Sequence, residues 1–121
     1  MKKILFIFLF LFLSINHIYA EFYEEIKLKD GNTYILKNIG SYDVGLYKNN
    51  ELIDTYFSIS ELKISPNKEN FIFYAKNKDG EFIVKNGIKG EIFYSIKDYL
   101  STISDNSIEY AFVGIKDELE F

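Results

Sequence analysis

The chain has no cysteine and no tryptophan, a single proline (Pro66), a single methionine (Met1) and a single histidine (His17), and all 14 of its cationic residues are Lys. Each absence excludes something. Without Cys there is no disulfide, no thiolate metal site and no cysteine-anchored lipoprotein. With His confined to position 17, no Ser-His-Asp or Cys-His nucleophile system and no His-built zinc or haem site can form in the body of the chain. The net charge of −4 argues against nucleic acid as a partner, because such binding needs a basic surface that displaces counterions. What is present points the other way. Ten Tyr and 12 Phe in 121 residues are too aromatic for a disordered chain, and the length fits one domain. The richness in Lys, Ile and Asn reads as the composition of an AT-rich bacterial genome, so a run of Lys carries little functional weight.

The amino terminus reads as an address. Lys2 and Lys3 precede an uninterrupted apolar run, Ile4 to Leu13, about half of the ~20 residues a membrane span requires. The more polar Ser14 to Ala20 follows, the order of a secretory signal peptide, with Ala20 before the cut and Glu21 as the first mature residue. The alternative is an uncleaved anchor, favoured by the bulky Ile18 three residues before the cut; membrane contact would then run through this segment alone. Residues 1–20 are therefore expected to be a signal peptide and 21–121 the working domain, exported to the periplasm or beyond.

Period-two alternation of aromatic and β-branched residues dominates the rest. Phe71, Phe73 and Ala75 fall on one face of a strand, Ile72 and Tyr74 on the other. Asp79-Gly80 is expected to be a tight hairpin turn leading to Glu81–Lys85, Asn86-Gly87 a second, and Glu91–Ile96 a third strand. Asp30-Gly31 marks another hairpin between Ile26–Lys29 and Thr33–Leu36. Lys97–Ser101 is the one segment with a helical alternative, and it too reads as strand or irregular chain. The fold class is all-β and antiparallel, with Phe71, Phe73, Phe82, Val84 and Phe112 on buried faces.

The chain also resembles itself. At an offset of 39, Ile64, Ser65, Asn67, Phe73, Glu81 and Phe82 coincide with Ile103, Ser104, Asn106, Phe112, Glu120 and Phe121. At an offset of 37, Lys48, Asn49, Ser58 and Ile59 coincide with Lys85, Asn86, Ser95 and Ile96. The units run 27–63 (weak), 64–102, and a truncated 103–121. A period near 40 with three or four short strands is the length of one propeller blade. The segment Ile64-Ser65-Pro66-Asn67-Lys68-Glu69-Asn70-Phe71 through Ala75, followed by Asp79-Gly80-Glu81 and Asn86-Gly87, resembles the TolB-like, WD-like β-propeller repeat. Two departures are visible: Asn67-Lys68 stands where that family prefers Asp-Gly, and Ser104-Asp105-Asn106 lacks the Pro. The resemblance implies blade-like hairpin repeats and periplasmic scaffolding. Fewer than three units fall short of the about 4–8 blades of a closed propeller. An incomplete propeller is expected, whose missing edge is met by other copies, by a partner strand or, the reading favoured by the break within a repeat, by further blades of a longer protein.

Few residues could carry chemistry. Carboxylates are the remaining acids and bases: Glu24-Glu25, Glu118-Leu119-Glu120, and Asp105 with Glu109, which read as solvated strand faces rather than a paired catalytic site. Asp79-Gly80-Glu81 and Asp105-Asn106-Ser107 lack the ligand density of a calcium loop and read as turns. Gly87-Ile88-Lys89-Gly90 has no following helix to receive a phosphate. Tyr23, Tyr42, Tyr47, Tyr56, Tyr94 and Tyr99 serve either packing between sheets or an exposed binding platform. No enzyme, no cofactor, no metal and no defined site residue is expected. The function expected is an exported, non-enzymatic repeat protein that binds another protein of the bacterial envelope, with oligomers possible; the alternative is a small exported module that binds a sugar or other ligand through a Tyr-rich face.

Overall fold

The computed structural model describes residues 22–40 and 43–117. The expected leader and its cut lie outside the described residues, as do Tyr42 and Glu118-Leu119-Glu120. Ten strands and no helix occur among the described residues. Strands β1 (Tyr23–Lys27), β2 (Thr33–Ile39), β3 (Asp43–Lys48) and β4 (Glu51–Tyr56) form a first antiparallel meander. A second is formed by β5 (Ser58–Ile64), β6 (Phe71–Asn77), β7 (Gly80–Lys85) and β8 (Ile88–Lys89). The third sheet is the pair β9 (Ser95–Ile103) and β10 (Ile108–Ile115). The chain is all-β and antiparallel.

The turns follow from their residues. Asn49 and Asn50 have φ of 50° and 70°, Asn86 and Gly87 52° and 82°, so both two-residue hairpins place both central residues in the left-handed region that Asn and Gly tolerate. The same side-chain bonds brace both. The Asn49 amide reaches the Asn32 side-chain oxygen at 3.0 Å, and its own oxygen accepts from the Thr33 N–H at 2.8 Å. Asn86 repeats this with Asn70 at 3.0 Å and the Phe71 N–H at 2.7 Å. Lys68, at the position where the propeller repeat prefers Gly, has φ 60°.

Two expectations need correction. The β6–β7 turn is Lys78-Asp79, not Asp79-Gly80: Asn77 pairs with Gly80, and the Asn77 side-chain oxygen accepts from the Asp79 N–H at 2.8 Å. Gly80 is required for another reason. Its φ is 144°, and a Cβ there would lie 2.2 Å from the Phe93 carbonyl oxygen. The third strand expected at Glu91–Ile96 is not continuous. After β8 the Gly90 N–H still donates to the Ile83 carbonyl at 2.8 Å and Phe93 pairs back through an isolated bridge to Glu81, and the chain then crosses to begin β9 at Ser95. Lys97–Ser101 lies within β9 and is strand.

The three sheets stack face to face. Between the first and second lies the larger core, with Ile26, Tyr34, Leu36 and Leu46 from one side against Phe71, Phe73, Phe82 and Val84 from the other. Tyr56 meets Phe73 edge-on, with ring centroids 5.5 Å apart. Ile72 and Ile83, on the opposite face of the second sheet, pack with Tyr74 and Phe93 against Ile96, Tyr99, Ile108 and the half-buried Phe112. The second sheet is thus buried on both faces, which explains its near-continuous apolar stretches Phe71–Ala75 and Phe82–Val84. The loops stack with the sheets: Lys29 N–H donates to the Lys68 carbonyl at 3.0 Å, and Asn67 N–H to the Asp105 carboxylate at 2.7 Å.

Candidate functional site

Bulges in matching places set which side chains of the third sheet face outward. In the second sheet Glu61 (φ 57°) and Leu62 bulge opposite Phe73; in the third, Asp98 (φ 55°) and Tyr99 bulge opposite Phe112. The bulge keeps Tyr99 in the core while Lys97 and Leu100 share the other face. Across the ladder Leu100 pairs with Ala111, Lys97 with Val113, Thr102 with Glu109, and Ser95 with Ile115. Since Phe112 and Ile108 point into the core, the residues alternating with them point out. Leu100 is 73% and Val113 54% exposed, and Ala111 is exposed beside them. This apolar surface lies where, in the second sheet, Ile72 and Tyr74 are covered by the next sheet.

The outer face of the first sheet is built differently. Its ladder positions Ile35-Tyr47 and Lys37-Gly45 stand where the second sheet has Phe73-Val84 and Ala75-Phe82. Gly45 takes the place of a large aromatic, and the Ile39 and Leu52 side chains lie over it; a Cβ at Gly45 would meet the Ile39 Cδ1 at 2.3 Å. The Lys37 ammonium sits 4.6 Å above the Tyr47 ring, and Lys27 pairs with Glu25 at 3.4 Å on the same face. The stack therefore has one end partly covered by its own long side chains, with Tyr23 and Leu52 still exposed there, and one end, at Leu100, Ala111 and Val113, that nothing among the described residues covers.

The carboxylates go to separate places. Glu24 and Glu61 line a shallow cleft of about 350 Å³ between β1 and β5, with Phe22, Ile59, Leu62 and Ile64, whereas Glu25 faces the other way. Asp105 caps the Asn67 loop and Glu109 lies on the outer face of β10, so these two do not converge. Asp79 is an exposed turn residue. Glu81, read from the sequence only as part of the Asp79-Gly80-Glu81 turn, has the richer surroundings: it is bridged to the Tyr74 hydroxyl, accepts from the Ile96 N–H at 2.8 Å, and pairs with Lys76 at 3.5 Å. Burial pushes its carboxyl up, but the Tyr74 hydroxyl, the Ile96 N–H and the Lys76 ammonium outweigh that and hold it below the usual Glu value. Tyr74 is pushed up, first by burial and then by the same carboxylate. The only local signal was a Glu within a strand, β7, whose neighbours Phe82–Val84 are an unbroken apolar run.

No group of three or more His, Cys, Asp or Glu side chains is placed to hold a metal among the described residues. Of the Tyr residues, Tyr56 is core, Tyr99 packs against Tyr74, Tyr47 lies under Lys37, and Tyr23 and Tyr94 are exposed at different places in the stack. No family model, curated protein or solved structure matches this chain.

Proposed function

We propose that this chain is an exported, non-enzymatic repeat protein of the bacterial envelope, that its sheets are blades of an incomplete propeller, and that it works by holding a protein partner against the bare face of its third sheet. The observation that carries this reading is the contrast between the two ends of the stack: Leu100, Ala111 and Val113 are exposed together, while at the opposite end Lys37, Ile39 and the Glu25–Lys27 pair cover part of a face that also exposes Tyr23 and Leu52. Soluble domains rarely expose contiguous apolar patches without a partner. The blade reading is supported by the common strand order of the first two sheets and by their matching Asn-braced turns. The non-enzymatic reading is supported by Glu81, the carboxylate with the most donors, being spent on joining two sheets.

The test places a photo-cross-linking side chain at Leu100, or at Thr33 on the covered end, in cells that export the chain. A protein adduct from Leu100 and none from Thr33 is expected. No adduct from Leu100, or equal adducts from both, would overturn the reading. Recovery of the protein in the cytoplasmic fraction at full-length mass would remove the export part of it.

A further inference from the structure

Among the described residues, every sheet edge but one carries a feature that discourages further strand pairing. The edge strands are β1 and β4, β5 and β8, and β9 and β10. In β1 the residues Glu24, Glu25 and Lys27 are charged, and β8 is only two residues long. β4, β5 and β9 each hold an extra residue that bends them: Ile53 falls between the Leu46–Asp54 and Tyr47–Leu52 pairs, and Glu61-Leu62 and Asp98-Tyr99 each face a single aromatic residue. β10 has no such device. Its eight residues contain no Pro, no extra residue and one charge, Glu109. It pairs with β9 on one side, and none of the described strands pairs with it on the other.

The second sheet shows what such an edge takes. β10 is the counterpart of β6: each lies against a bulged strand, with Phe112 or Phe73 opposite the bulge. The edge of β6 that is open in β10 is filled by β7, in an antiparallel ladder from Ile72–Lys85 to Asn77–Gly80. We propose that the free edge of β10 is a strand acceptor, which binds an extended segment of a partner polypeptide, antiparallel, in the place that β7 holds beside β6. A row of backbone N–H and C=O groups is matched by another such row, which makes the ligand a polypeptide. Its side chains would lie alternately beside Tyr110 and Phe112 on the inner face and beside Ala111 and Val113 on the outer. The segment that fits is therefore apolar on both faces, as β7 is at Phe82, Ile83 and Val84. A second copy does not fit. The second sheet lies beneath the third, with Ile72, Tyr74 and Ile83 against Tyr99 and Phe112. Antiparallel pairing of β10 with β10 of another copy puts both stacks on the same side of the joined sheet, so the incoming second sheet would overlap β7 and β8. The inference goes beyond the function proposed above, because it rests on the backbone of β10 and not on what covers the outer face.

Amide hydrogen exchange of the purified chain, read residue by residue by NMR, tests this; the probe is a synthetic peptide of residues 79–87, which carries the β7 strand. In the protein alone, neighbouring β10 amides should alternate between slow exchange, where they bond β9, and fast exchange, where they face the open edge. Peptide at about 1 millimolar should slow the fast set by about tenfold and leave β1 and β4 unchanged. Methylating every second backbone nitrogen of the peptide should abolish the effect for one alternate set of residues and keep it for the other, since only one edge of an added strand faces β10. If all β10 amides are slow in the dilute protein alone, the chain's own residues 118–121 already fill the edge, and the inference is overturned. Slowing that rises with protein concentration without peptide would make a second copy the occupant and overturn it as well. No slowing by the peptide, or equal slowing by both methylated forms, would rule out strand addition; an adduct from Leu100 would still stand, because it reports on the outer face.

Discussion

Among the described residues the second sheet is covered on both faces and the third on only one, although both begin with a strand of the same kind and carry the same bulge opposite an aromatic residue, Phe73 or Phe112. The difference lies in what the chain places next to each. Phe73 is sealed by Tyr56 and Phe71, whereas Phe112 rests on Phe93 and Tyr110 near the open end and stays half-buried. The stacked fold therefore concentrates its stability in the middle and leaves recognition to an end. Phe73→Ala should cost about 3–5 kcal/mol, the cavity penalty of a closed core, while Phe112→Ala should cost about 1.5–3, the loss of partial burial. Urea unfolding of both variants checks the order. Equal losses would mean that the third sheet is as firmly packed as the second.

The join between these sheets gives the next test. Gly80 combines positive φ with a backbone neighbour, the Phe93 carbonyl, while Gly31 has φ 97° and nothing within 4 Å of a new Cβ. Gly80→Ala should cost about 3 kcal/mol, because carbonyl and ladder must both shift, and Gly31→Ala about 1, the conformational strain alone. Thermal unfolding separates them. A mild Gly80→Ala would show that the crossing from β8 to β9 yields easily.

Glu81 ties the second sheet to the third by charge. Its folded-state pKa lies below the ordinary 4.5, so its contribution is present in full above that value and is lost as pH falls through the lowered one. Glu81→Gln keeps an acceptor for the Tyr74 hydroxyl and the Ile96 N–H but removes the charge, and should cost about 1–2 kcal/mol at neutral pH. The gap to the parent protein should close as the solution is acidified below pH 4.5. A gap that stays constant with pH would assign the loss to packing instead.

Local chemistry made much of this legible. The Asn86-Gly87 turn and its Asn49-Asn50 counterpart, and the buried faces of Phe71, Phe73, Phe82 and Val84, follow from residues within a few positions of one another. What stayed hidden depends on distant neighbours. The Asp79-Gly80 pair reads as a turn until Phe93 is seen to occupy the space beside Gly80. Glu81 reads as part of a turn until Tyr74, Lys76 and Ile96 converge on it. The same holds for the candidate surface. Leu100, Ala111 and Val113 look like any alternating strand residues, and only the stacking order shows that nothing among the described residues covers them.

The smallest change in stability should produce the clearest change in assembly. Lys37 occupies the ladder position that Ala75 holds in the second sheet, and its ammonium covers the Tyr47 ring from the solvent side. An exposed cation over a ring is worth about 0.5–1 kcal/mol, and Lys37→Ile returns part of that through its own contact with Tyr47 and Ile35, so the unfolding free energy should move by less than about 0.5. Yet the substitution removes the charge that keeps this end wet, and the new side chain joins Ile35, Ile39 and Leu52 in one apolar surface. With both ends apolar, a head-to-tail contact becomes available, and contacts of that kind do not close on themselves. Light scattering on the Lys37→Ile protein should therefore show species that grow with concentration beyond those of the parent, and adding Val113→Lys should cut that growth back. If Lys37→Ile assembles no further than the parent, Lys37 is not what keeps the covered end from associating, and the contrast between the two ends must rest on Gly45 and the side chains that fill its place.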